Sequence, residues 1–162
     1  MLTERGWLAA NVVNGKIYVI GGGDDKTRQA LSMVESYDPV ADKWTPKADM
    51  PTPRSTFIAS VAGGQIYVIG GFDGNVANPM SLAVVEAYDP VANTWARKSA
   101  MPTPRDNAMA STVDGKVYVI GGFLGNALVL STVEEYTPEG WPFAVSPRGK
   151  LTTTWGEVKR SK

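Results

Sequence analysis

The stretch KVYVIGGF at residues 116–123 occurs in three versions in one chain of 162 residues, as QIYVIGGF at 65–72 and KIYVIGGG at 16–23. A short apolar run with β-branched residues on both faces describes a strand buried on both sides. The likeness extends outward. Val-Glu-x-Tyr follows at 34–37, 85–88 and 133–136, and MPTPR stands at 50–54 and again at 101–105. The glycine pairs Gly21-Gly22, Gly70-Gly71 and Gly121-Gly122 return with a period of about 50 residues, the size of unit found in solenoids, propellers and arrays.

Turn chemistry divides each repeat into strands. Asn14-Gly15, Gly63-Gly64 and Asp114-Gly115 are dipeptides that accept the positive φ angles of a two-residue hairpin turn, so each joins two antiparallel strands. The first strand begins after Arg5, Arg54 or Arg105, and the second is the Tyr-Val-Ile run. The third carries Val and Tyr on either side of polar positions, and Asp38-Pro39 and Asp89-Pro90 open the turn after it. The fourth holds Trp44, Trp95 and Trp141. Four short antiparallel strands with apolar residues on both faces form a blade that must stack on neighbours.

Gly-Gly closing the second strand, followed by the tyrosines Tyr37, Tyr88 and Tyr136 and the three tryptophans, resembles the kelch repeat. The resemblance implies an all-β chain of kelch-type β-propeller blades. These would be three four-stranded antiparallel sheets in which Tyr and Trp pack between blades and the glycines allow close approach. Blade 1 is expected at 1–48, blade 2 at 49–99 and blade 3 at 100–145, with a basic tail at 146–162 and a possible extra strand in KLTTTW. The third copy departs from the pattern. Thr137 replaces the turn aspartate, and Trp141 follows Tyr136 by five residues rather than seven, so its outer edge is irregular.

Composition narrows the chemistry. The chain has no cysteine and no histidine, which removes thiolate nucleophiles, disulfides and the commonest metal ligand and general base. No G-x-S-x-G elbow, phosphate loop or calcium loop occurs. Asp24 and Asp25 in GGGDDK lack further spaced ligands, so a plain turn is the better reading, and no metal or cofactor is expected. Net charge is zero, and the five basic residues after position 145 have no basic domain or aromatic platform behind them. Nucleic acid is therefore not expected as a partner. No apolar run approaches the roughly 18–20 residues that span a bilayer, and the N-terminus lacks signal-peptide order.

Three blades are too few for a ring, because propellers close with about four to eight. Two completions are open: further kelch blades in a longer protein, or a second copy of this chain giving three plus three blades.

An up-down-up-down sheet places the connection before the first strand and the one after the second on the same side, where loop lengths differ most between copies. That side is the expected ligand face. Arg5, Arg54 and Arg105 reach it, each ten residues before its hairpin glycine. They are expected either to line a channel mouth that takes a carboxylate or acidic peptide, or to pair with carboxylates of the blades. In some kelch proteins, arginines at this point line the ligand pocket, which is what the resemblance implies here. On the first expectation, replacing Arg54 and Arg105 with Ala would leave folding nearly unchanged and abolish binding. Trp7, Thr56 and Asn107, two residues further on, and Asn11, Ser60 and Ser111, six residues on, are expected beside them, facing a wet channel. Phe72 and Phe123, directly after the glycines, are expected either to pack between blades, the preferred reading, or to anchor the rim. The leading functional reading is a non-enzymatic module that binds a protein, peptide or saccharide. The alternative is a piece of a sugar-processing enzyme, such as a sialic acid epimerase built on Arg, Glu and Tyr.

Overall fold

The computed structural model describes residues 1–27, 29–75, 80–125 and 128–137. Strands β1 (Ala9–Val13), β2 (Lys16–Ile20), β3 (Val34–Asp38) and β4 (Lys43–Pro46) form one antiparallel sheet in sequential order. A second sheet of the same order contains β5 (Ile58–Ala62), β6 (Gln65–Ile69), β7 (Val85–Asp89) and β8 (Thr94–Lys98). In the third, β9 (Met109–Val113) and β10 (Lys116–Ile120) pair with β13 (Val133–Tyr136), and a short hairpin of β11 (Phe123–Leu124) and β12 (Leu128–Val129) rises from the connection. Trp141, the expected fourth strand of this blade and the basic tail lie outside the described residues.

The hairpin dipeptides adopt the expected backbone. Asn14 and Gly15 have φ of 50° and 73°, and Asp114 and Gly115 have 48° and 74°, the paired positive angles of a type I′ turn. At the turn between the third and fourth strands, the Asp38 carboxylate accepts the N–H groups of Val40 (3.0 Å) and Ala41 (3.2 Å), and Asp89 does the same for Val91 and Ala92. Tyr37 and Tyr88 brace these turns by donating their hydroxyls to Asp42 and Asn93, each at 2.7 Å.

The blades stack face to face. Ile20, Val34 and Tyr18 of blade 1 pack on Ile66, Val68 and Tyr88 of blade 2. Ile58, Ile69, Val85 and Tyr67 of blade 2 pack on Val117, Val119 and Tyr136 of blade 3. Tyrosine rings cross each junction at nearly the same geometry: Tyr18–Tyr88 at 5.8 Å and 58°, Tyr67–Tyr136 at 5.6 Å and 58°. The Trp95 indole N–H donates across the first junction to the Ala48 carbonyl at 2.9 Å.

The glycine pairs set how closely the blades approach. Gly22 N–H donates to Arg54 O (3.1 Å) and Gly71 N–H to Arg105 O (2.9 Å), each a bond into the next blade. A Cβ on Gly70 would stand 2.3 Å from Arg105 O, and φ there is +64°, so both space and backbone require glycine.

Candidate functional site

Residues just after each repeat arginine pair with residues just after each glycine pair, through the bridges Gly6–Gly23, Ser55–Phe72 and Asp106–Phe123. The first-strand approach and the long connection after the second strand therefore share one side of the stack. From this side, Trp7, Thr56 and Asn107 meet in a chain of backbone bonds. Thr56 N–H donates to Trp7 O (3.1 Å), and Asn107 N–H donates to Thr56 O (2.8 Å), one step per blade.

All three are left-handed, with φ of 51°, 50° and 49°. Asparagine tolerates that region, whereas a β-branched threonine and a bulky tryptophan do so at a cost of about 1–3 kcal/mol each. They line an open recess of about 250 Å³ with Leu8, Phe57, Ala108 and Met109. Trp7 is 46% exposed beside it, and the Thr56 hydroxyl is buried without a hydrogen-bond partner. This recess brings together three of the sequence-derived site residues.

Asp106 and Ser81 escaped the sequence reading. Asp106 accepts the Ser81 hydroxyl at 2.6 Å and the Asn107 amide at 2.7 Å, and Ser81 Oγ accepts Gly125 N–H at 2.8 Å. The loop of blade 2 is thereby tied to blade 3, and the Asn107 side chain is held in place. Ser81 lies in a connection whose length differs between copies, and the repeat position of Asp106 holds Gly6 and Ser55 in the other two, so repeat comparison carries no signal at either.

The arginines take the second of their two expected places, paired with carboxylates of the blades rather than at a channel mouth. Arg5, Arg54 and Arg105 have fully buried side chains that pair with Glu35 (3.0 Å), Glu86 and Glu134 (2.6 Å) on the third strand of their own blades. Arg54 Nη1 also donates to Val84 O (3.0 Å), and Arg105 Nη1 to Gly121 O (2.9 Å). Each guanidinium closes the ends of the second and third strands. Burial pushes the Arg54 guanidinium down to about 10, opposed by the Glu86 charge, and burial lowers Arg105 as well, opposed by Glu134. The expectation that Ala substitutions leave folding unchanged is corrected accordingly, because each would strand a buried glutamate.

The second polar set also sits differently from expectation. Inner strands alternate between the two blade faces, so these side chains turn toward the next blade rather than a wet channel. The Asn11 amide donates to Ala59 O at 3.4 Å, and buried Ser60 shares a 2.7 Å hydrogen bond with Thr112. Ser111 is exposed on the outer face of blade 3. Phe72 is half-buried, and Phe123 is 40% exposed at the rim.

Asp24 accepts the N–H groups of Lys26 and Thr27, each at 2.8 Å, and these backbone bonds hold its carboxyl below the ordinary value. Among the described residues no three acidic side chains converge as a metal site would require. No helix among them is long and apolar enough to cross a membrane.

Comparison with known proteins agrees with this architecture. Residues 3–158 match the model of the KLHDC2/KLHL20/DRC7 Kelch-repeats domain. The chain is 39% identical over 114 residues to beta-scruin of Limulus polyphemus, covering 68% of this chain and 12% of that protein. It is 35% identical over 109 residues to Kelch-like ECH-associated protein 1B of Danio rerio, covering 67% of this chain and 18% of that protein. With the F-box/kelch-repeat protein SKIP30 of Arabidopsis thaliana it shares 33% identity over 141 residues, covering 79% and 39% of the two chains. The solved structure of YjhT superposes with a TM-score of 0.66 at 25% identity, covering 77% of this chain and 36% of YjhT. The chain thus spans well under half the length of these relatives.

Proposed function

Because the chain belongs to the kelch-repeat family of β-propeller proteins, we propose that it is a non-enzymatic interaction module whose loop face takes a peptide segment of a protein partner at Trp7, Thr56 and Asn107. The observation that carries this reading is the strained chain of left-handed residues around the recess. Backbone held in a sparsely populated region by its surroundings is concentrated at ligand sites. A recess of about 250 Å³ is small for a drug-sized ligand and suits one or two peptide side chains. Exposed Trp7 offers a stacking surface, and Asn107, oriented by Asp106, offers polar contact. Arg5, Arg54 and Arg105 act indirectly in this reading, by fixing the strands from which the rim departs. Among the relatives, the Danio rerio protein records an association with ECH in its own name, in keeping with a protein-binding role.

Selection of a random-peptide phage library on the immobilised protein tests the reading. A shared peptide consensus is expected, and its affinity should fall tenfold or more in Thr56→Gly and Asn107→Gly. Thr56→Gly relieves left-handed strain, so its melting temperature should stay level or rise, and Asn107→Gly, at a backbone that asparagine already tolerates, should change it little. Val91→Ala, in the exposed turn on the opposite side, should bind as wild type. Absence of any consensus, or unchanged affinity in both glycine variants, contradicts the reading.

A further inference from the structure

The outer face of blade 3 carries the residues that blades 1 and 2 bury. Met109 and Ile120 are 73% and 47% exposed, whereas Ile58 and Ile69, at the same positions of blade 2, are 6% and 0% exposed against blade 3. Val133 and Val113 extend the patch, and their counterparts Val85 and Ala62 are buried. At the other end of the stack, Val12 is exposed on the face of blade 1 that corresponds to the blade 2 surface seated on blade 1. The two open faces are thus opposite halves of a junction that the chain already makes twice.

We propose that a second copy of this chain covers both faces. Blade 3 of each copy packs on blade 1 of the other, and the two copies close one six-bladed ring about a two-fold axis. The inference is independent of the peptide-binding reading and concerns the scaffold that carries the rim.

Residues 1–5 supply the most specific argument. MLTER aligns with MPTPR at 50–54 and 101–105, so Met1 corresponds to Met50 and Met101. Those two methionines are 2% and 3% exposed, wedged into the junction with the preceding blade. Met50 Cε lies 3.0 Å from the position of a Cβ on Gly21, and Met101 Cε lies 3.2 Å from that on Gly70. At Gly121 the nearest such atom is Leu130 O of the same blade at 3.4 Å, so the place of the incoming methionine is open. Met1 is left 46% exposed. Arg5 shows the consequence, for its buried Nε has no partner, whereas Arg54 Nε donates to Met50 Sδ at 3.3 Å. Seating Met1 against Gly121 of a second copy fills the open place and brings its sulfur to the position that Met50 holds beside Arg54.

The other junction contacts continue in the same way. Tyr118 would meet Tyr37 of the second copy as Tyr67 meets Tyr136. The Arg5 carbonyl would accept the N–H of Gly122 across the new junction, extending the bonds already made by Gly22 and Gly71. Stoichiometry follows from the count. Rings hold about four to eight blades, and six is the one multiple of three in that range. A rotation that did not close would instead give open polymers.

Light scattering and sedimentation of the purified chain should give twice 17.3 kDa, and Ile120→Glu should give a folded species of 17.3 kDa. Wild-type protein at 17.3 kDa, which is what cover by further blades of a longer chain would leave, overturns the proposal, as does a ladder of larger polymers. Cross-linking fixes the register, since the chain has no cysteine of its own. Ser111 and Val12 hold the repeat positions of Ser60 and Thr112, whose hydroxyls stand 2.7 Å apart across the junction between blades 2 and 3. Oxidising a mixture of Ser111→Cys and Val12→Cys proteins should yield a disulfide-linked pair that neither variant forms alone. No link in the mixture, or equal linking in one variant alone, overturns the arrangement.

Discussion

Arg105 and Glu134 meet at 2.6 Å with side chains 0% and 2% exposed, and Arg54 with Glu86 and Arg5 with Glu35 repeat the pairing in the other two blades. Attraction within such a pair roughly offsets the desolvation of its charges, but removing one partner leaves the other buried and unpaired. Arg105→Ala should therefore lower stability by about 3–5 kcal/mol in urea unfolding. The double variant Arg105→Met/Glu134→Met should recover most of that loss. Equal stability of Arg105→Ala and wild type would show that the pair is solvated.

Two glycines with positive φ separate backbone strain from crowding. Gly64 (φ +76°) has nothing within 4 Å of an added Cβ, whereas the Cβ at Gly70 (φ +64°) would strike Arg105 O at 2.3 Å. Gly64→Ala should cost about 1–2 kcal/mol, the left-handed penalty alone. Gly70→Ala should cost clearly more and loosen the junction between blades 2 and 3. Equal losses in chemical denaturation would argue against close blade contact at the glycine pair.

Asp89 makes stability depend on acidity. Backbone N–H bonds from Ala92 and Val91 hold its carboxyl below the ordinary value of 3.8. Its contribution is complete above that value and is lost as pH falls through the lowered one. The melting-temperature gap between wild type and Asp89→Ala should be constant near neutrality and shrink as pH drops below about 3.8. A gap independent of pH would mean that the turn does not use the charge.

The fold was largely legible because its punctuation is local. Asn14-Gly15 and Asp114-Gly115 state a hairpin in two residues, and the YVIGG runs state which strands are buried. The candidate site was legible only in part. Trp7, Thr56 and Asn107 could be placed together by repeat position, but only asparagine advertises a left-handed backbone, so the strain had no sequence signal. For the arginines two places stayed open, a channel mouth or pairing within the blades, because arginine is usually exposed yet is also the residue of choice for a buried carboxylate. Their partners were nonetheless in view, for Val-Glu-x-Tyr repeats Glu35, Glu86 and Glu134 as faithfully as the arginines repeat. An alternating strand pattern made those glutamates look like surface positions.

Ile69 and Ile120 occupy one repeat position in two environments, 0% and 47% exposed. Ile69→Ala should cost about 2–5 kcal/mol at any protein concentration, the usual range for a buried isoleucine. The cost of Ile120→Ala should depend on protein concentration, because its burial comes from a second molecule. A concentration-independent loss at both sites would place the cover of Ile120 within the chain itself.

Amide hydrogen exchange tests most directly the claim that one junction is repeated through the stack and across its ends. Gly71 and Thr56 N–H groups, bonded across blades, set the level of protection. The Gly122 N–H should match that level in wild-type protein and lose it in Ile120→Glu. Fast exchange at Gly122 in wild type, with Gly71 and Thr56 still protected, would contradict the account.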